Sequence, residues 1–166
     1  MTLQSLLADP GVVGTWTLVP NQSEVRFASK TLWGLVPVKG TFTDLTGEGR
    51  INTDSTISGR LTIKTASIST GIGMRDRHLR DEDFFDAEHY PEITVDVSGP
   101  QLATLSIRGT TLPLPLQFSV KHPDAGTLRI TAHTEIDRTR WGVSGNTVGM
   151  IPDTVILTAD TTFVRA

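Results

Sequence analysis

The sequence predicts an all-β protein of antiparallel strands, and three features carry that expectation. Apolar and polar residues alternate with period two in four separate windows. Thr, Val and Ile are abundant, and short strand-like runs are punctuated by Gly, Pro, Asn and Asp. A period of two puts alternate side chains on opposite faces of a sheet, so each window describes a strand with one buried face. Beta-branched side chains lose less freedom on a pleated surface than in a helix.

Taken in order, strands are expected at 15–19, 24–29, 36–43 and 46–52, with Pro20-Asn21 turning the chain between the first two. From Ile57 to Thr65 the odd positions are apolar or small and the even ones polar. Strands at 93–99 and 102–108 flank Gly99-Pro100, and Gly109-Thr110 follows. Leu112, Leu114, Leu116, Phe118 and Val120 then alternate with Pro113, Pro115, Gln117, Ser119 and Lys121. A turn is expected at His122–Gly126. Leu128, Ile130, Ala132, Thr134 and Ile136 form the next apolar face. After a turn at Ser144-Gly145-Asn146, Val155, Leu157, Ala159, Thr161 and Phe163 form the last. Gly reaches positive φ, Pro fixes φ, and Asn and Asp bond their own backbone, which is why these residues mark turns. Eight or more strands at this spacing indicate a sandwich or a closed barrel.

Residues 71–86 break the alternation. The charges there fit a short helix around residues 75–83, followed by an irregular loop to Tyr90-Pro91. Glu82 and Asp83 stand three and four residues after Leu79, so the segment reads as a cap over a core rather than a core helix.

With 166 residues the chain has the length of one domain, divided here into an N-terminal extension, 1–14, and a barrel domain, 15–166. A domain of this size buries roughly 70% of its unfolded surface without disulfides or metals. A net charge of −3 argues against a broadly basic nucleic-acid binder. The chain has no cysteine, so thiol nucleophiles and thiolate metal sites are excluded, and no apolar run approaches a membrane-spanning length. No Lys or Arg precedes Arg26, and Asp9-Pro10 interrupts the Leu3, Leu6 and Leu7 cluster, so a secretory leader is not expected and the cytoplasm is.

Catalytic motifs are not found. Gly71-Ile72-Gly73 lacks the third glycine and the strand–helix context of a dinucleotide site. Gly142–Asn146 departs from a nucleophile elbow at its last residue. His78, His89, His122 and His133 have no metal-ligand spacing. The chain is therefore expected to hold no metal and no cofactor.

The densest charge lies at Arg75, Arg77 and Arg80 among Asp76, Asp81, Glu82 and Asp83, followed by Phe84-Phe85. Such a segment is either a solvated cap with weak surface ion pairs or an electrostatic rim beside an apolar mouth, where guanidinium forks take phosphate oxygens. Composition alone favours the solvated cap, and two adjacent aromatics, which are costly to expose, shift the balance towards the rim.

Met74 to Asp86 with Tyr90-Pro91 resembles the signature of the YceI-like family. Trp16, Ser23–Phe27, Val38–Phe42, Ala66–Gly71, Leu105–Pro113 and Asp137-Arg138 with Trp141–Val143 extend the resemblance over about residues 15 to 165. At Gln22 the chain departs from the histidine that the family often carries. The resemblance implies an extended, eight-stranded, lipocalin-like antiparallel barrel that holds a polyisoprenoid, such as a prenyl pyrophosphate or quinone, in its bore.

On this reading Phe42, Ile63, Met74, Leu79, Phe84, Phe85, Phe118 and Trp141 contact the ligand chain, and Arg75, Arg77 and Arg80 its headgroup. Inward-facing Gly59, Ala132, Ala159 and several Thr leave room that larger residues would fill. The expected partner is a long-chain lipid, not nucleic acid, and oligomeric state stays open, a homodimer among the options. Two other functions compete with the carrier: an enzyme using Asp76, His78 or His133 as acid or base, and a packed-barrel, stress-responsive interaction protein.

Overall fold

In a computed structural model, residues 3–29, 38–99, 102–145 and 152–166 are described. The first two residues of the strand expected at 36–43, together with Pro100 and Asn146 of the expected turns, lie outside them.

Twelve strands among the described residues form one antiparallel sheet: β1 (Gly14–Leu18), β2 (Glu24–Ser29), β3 (Lys39–Phe42), β4 (Leu45–Ile51), β5 (Ile57–Lys64), β6 (Ile68–Ser69), β7 (Glu92–Ser98), β8 (Leu102–Ile107), β9 (Thr110–Pro113), β10 (Gln117–Asp124), β11 (Thr127–Asp137) and β12 (Thr154–Arg165). Several are halves of one bent run. Along a single edge of β12, Val25 to Ser29 of β2 pair with Ala159 to Val155, and Trp16 to Leu18 of β1 pair with Arg165 to Phe163. The step between β1 and β2 is a 3-10 turn at Pro20–Gln22, bridged by Val19 N–H to the Thr162 carbonyl (2.8 Å) and Thr162 N–H to Ser23 Oγ (3.1 Å). β5–β6 steps through a 3-10 turn at Thr65–Ser67, β3–β4 through Thr43-Asp44, and β9–β10 is continuous through Leu114–Leu116. The twelve segments exceed the eight strands the resemblance implies, because β1–β2, β3–β4, β5–β6 and β9–β10 are each interrupted along one longer run.

The ladder ends on β6, on β9 and on β10, and the residues joining the last two are bonded to the neighbouring strands on either side. Pro113 and Pro115 have no N–H to donate, so the run that the alternation extends from 112 to 120 cannot keep one partner throughout. β9 pairs with β8 and β10 with β11. Between them Leu114 N–H donates to the Ala103 carbonyl on β8 (2.9 Å), and the buried Thr134 hydroxyl of β11 donates to the Pro115 carbonyl. The turn expected at 122–126 is shorter than its punctuation indicates. β10 continues to Asp124, with Pro123 at a register shift where no ladder donor is needed.

Among the described residues two α-helices accompany the sheet, α1 (Leu3–Leu7) and α2 (Gly73–Arg80). The sequence places the second at about 75–83. It begins earlier because Ile72 already accepts the Asp76 N–H, and it stops at Asp81, whose ψ of 169° is extended. Of its eight residues only Asp76 and Leu79 are buried, as befits a cap.

The core has two parts. Around Leu6, Leu7, Val12, Trp16, Ile51, Val120 and Leu128, α1 closes one end of the sheet. A larger cluster, with Leu45, Ile63, Leu79, Phe84 and Trp141, fills the middle and the α2 end. Phe163 packs against both.

Candidate functional site

An elongated cavity of about 320 Å³ runs through the core, from Leu6 and Trp16 at the α1 end to Arg75, Leu79, Phe84 and Phe85 at the α2 end. The alternation of the strands creates it. Every second residue points inward, and several of these are too small to meet across the bore: Gly49, Gly59, Ala132 and Ala159 all border it. Its side chains are overwhelmingly aliphatic and aromatic. Glu48, Arg50, Ser58 and Arg60 also border it, but their side chains are exposed, so their backbone forms the wall there.

The α2 end is an aromatic collar. The Phe27 and Phe42 rings lie 5.7 Å apart, Phe85 meets Phe42 edge-on at 5.9 Å, and His78 meets Phe84 edge-on at 5.2 Å. Gly40 is required beneath Phe27, because a β-carbon there would stand 2.6 Å from the ring and 2.7 Å from the Ser69 carbonyl oxygen. Phe84 is 2% exposed.

Of the residues singled out by the sequence, Phe42, Ile63, Leu79, Phe84, Phe85 and Phe118 line the cavity. Met74 does not: it stands on the outer side of α2 with 79% of its surface exposed. Trp141 is buried in the wall, outside the lining, and its indole N–H donates to the Leu105 carbonyl (2.9 Å). The break in alternation flagged Met74 and the 138–142 motif flagged Trp141, but the winding of α2 and of the 138–141 turn directs them elsewhere.

The three arginines also part company. Arg75 borders the cavity, and its Nε and Nη2 donate to the Thr70 hydroxyl (2.8 Å) and carbonyl (3.1 Å). The buried Asp76 carboxylate accepts from the same hydroxyl and from Thr70 N–H, so the start of α2 is tied to the end of β6. Arg80 donates to the Ala66 and Ile68 carbonyls and holds α2 on the preceding turn. Arg77 is exposed and away from the cavity.

Two arginines organise the site without having been singled out for it. Arg138 is 6% exposed and borders the cavity, its guanidinium donating to the Val143, Gly145 and Pro152 carbonyls and resting 5.8 Å from the Phe84 ring. Burial pushes its pKa down while Asp153 and Asp137 pull it back up, and a guanidinium keeps its charge in such a setting. Arg108, in the turn joining β8 and β9, donates from one nitrogen to the carbonyls of Glu82, Phe84 and Gly142. Both lay in segments that carry the family resemblance, the first in the Asp137-Arg138 pair and the second within Leu105–Pro113, but neither was assigned to the site.

Asp76, His78 and His133 do not border the cavity; His133 is exposed on β11. Among the described residues no three His, Asp or Glu side chains group as a metal site, and no helix is long and apolar enough to cross a membrane.

A barrel-like antiparallel sheet, plugged at one end, collared by aromatics at the other and apolar between, defines a protein with an internal site for a hydrophobic molecule. Residues 16–163 match the YceI-like domain, and the chain belongs to that family. Its curated relatives include a UPF0312 protein of Staphylococcus aureus, 36% identical over 95 residues, or 54% of this chain and 55% of that protein. Another, from Photorhabdus laumondii, is 40% identical over 55 residues, 32% of this chain and 29% of its own. The matches thus span about half or less of those relatives. Among solved structures the fold is shared with BcnA of Burkholderia cenocepacia (TM-score 0.77, 21% identity, 87% of this chain and 98% of that one). It is shared also with a polyisoprenoid binding domain from Saccharophagus degradans (TM-score 0.75, 20% identity, 91% and 98%).

Proposed function

We propose that this protein binds a long-chain apolar or amphipathic molecule, most favourably a polyisoprenoid, within its bore and carries or sequesters it without chemical change. The observation that carries the reading is the cavity itself: elongated, internal and walled by carbon over nearly its whole length. Burying an apolar chain is worth roughly 25 cal/mol per Å², so such a bore holds a tail without polar anchors. The fold it shares with a polyisoprenoid binding domain supports the ligand class. The three acid–base candidates stand outside the lining, which favours binding over catalysis.

A headgroup would sit at the α2 end, where Arg75 borders the cavity. Arg77 and Arg80 have no part in this version, the one being exposed and distant, the other committed to backbone carbonyls.

Solvent extraction of purified protein followed by mass spectrometry tests the reading, and delipidated protein is then titrated with a prenyl pyrophosphate and an uncharged prenyl quinone. Both are expected to bind, and Arg75→Gln is expected to weaken the pyrophosphate selectively. Binding of neither would overturn the ligand class, and equal losses in Arg75→Gln would reduce that arginine to a tether for Thr70.

A further inference from the structure

Gly49 and Gly59 face each other across β4 and β5, and both point into the bore. Neither has a positive φ, so the backbone does not demand glycine at either position. Glycine inside a strand costs stability, because it loses more freedom on folding and packs nothing. At Gly49 an added β-carbon would meet only the Ser58 carbonyl oxygen, at 3.7 Å, an ordinary contact. A larger residue would therefore fit the wall at position 49; its side chain would simply occupy the cavity.

Their place along the bore gives this gap a meaning. Ladder pairing sets Trp16, Gly49, Gly59, Val97 and Ala103 in one row around the sheet. The next rung towards α1 is Ile51 facing Ile57, packed with Leu6 and Leu7. Ile51 and Ile57 border the cavity as well, so the glycine pair is the bare stretch of wall nearest the closed end. A chain entering from the aromatic collar reaches it only near its far end.

We propose that Gly49, with Gly59 beside it, is the specificity-determining residue for chain length: the bare backbone admits the distal end of the longest ligands, and shorter ligands stop above it. This rests on the proposed ligand class and adds to it the residue that decides which members of the class fit.

The test is a substitution series, Gly49→Ala and Gly49→Leu, titrated with geraniol, farnesol, geranylgeraniol and solanesol, with thermal unfolding followed on each variant. One methylene in an apolar pocket changes affinity by about 10-fold or more. Gly49→Leu should lower affinity for the longest prenol that wild type binds by at least about that factor, while the shortest bound prenol changes by less than about threefold. Gly49→Ala should shift the preference in the same direction by less, and it keeps the test valid if the leucine variant does not fold. Equal losses at every length, or an unchanged length preference in both variants, would overturn the assignment and leave the ligand class standing. Failure of wild type to bind any of the four would overturn the ligand class and this assignment with it.

Discussion

Arg108 shows how much one residue contributes to this site. With φ at 51° it occupies the left-handed region, followed by Gly109 at 75°, a pairing typical of tight hairpin turns. Asn or Gly ordinarily fills such a position, and a long side chain there is strained. What the arginine returns is a single nitrogen at 2.8, 2.9 and 3.1 Å from the Glu82, Phe84 and Gly142 carbonyls, pinning the cap and the 138–142 turn to the same hairpin. Arg108→Asn keeps the backbone conformation and removes the clamp. Bonds to a charged donor are worth about 1.5–3 kcal/mol, so urea unfolding should show a loss of about 2 kcal/mol. An unchanged midpoint would mean that those carbonyls are equally well satisfied by water.

At the scale of elements, α2 and the turns after it act as a lid assembled from weak helix signals and strong tertiary ones. Ile72 caps α2 without a side-chain bond, and the following residues wind back through Phe84 N–H to Asp81 O (3.0 Å) and Phe85 N–H to Leu79 O (3.1 Å). Gly145 lies so close to the Asp83 carbonyl that a β-carbon there would displace the lid. Phe84 belongs to both lid and cavity, whereas Trp141 belongs to the wall alone, and that difference can be measured. Phe84→Ala should cost about 3–5 kcal/mol of stability and weaken ligand binding as well. Trp141→Phe leaves the Leu105 carbonyl without its donor and should cost about 1–3 kcal/mol, with affinity nearly unchanged. Equal affinity losses in the two folded variants would place Trp141 in the binding surface after all.

For the whole molecule, a ligand that binds only the folded protein stabilises it by mass action, about 2.7 kcal/mol at a hundredfold excess over Kd. A chain of this length shifts its Tm by about 2–4 °C per kcal/mol, so delipidated protein should melt roughly 5–10 °C higher once refilled. An absence of shift at saturation would argue that the bore collapses or stays shut. The sheet also ties its ends together late, since β12 near the C-terminus pairs with β1, β2 and β11. Rungs such as Trp16 with Arg165 cannot form before all of residues 16–165 are available.

The strands were legible in the sequence because each is a local statement: Ile57 to Thr65 and Leu128 to Ile136 alternate with a period that only a half-buried sheet explains. So were the cap and its aromatic pair, where the alternation stops. The sequence also marked Gly59, Ala132 and Ala159 as small inward residues, and all three border the cavity. Where the alternation is interrupted, the sequence was ambiguous. Pro113 and Pro115 keep an apolar–polar rhythm while forbidding a continuous ladder, so a change of partner looks like one long strand. The directions of Met74, Trp141, Arg77 and Arg80 depend on turns closed by bonds to Ala66, Ile68 and Leu105, which are distant in sequence. The burial of Arg138 and the three-carbonyl grip of Arg108 arise in the same way. Hydrophobic period and turn chemistry act over a few residues and specify the wall of this protein; the ends of its bore are made by contacts between remote segments, and only the folded chain decides those.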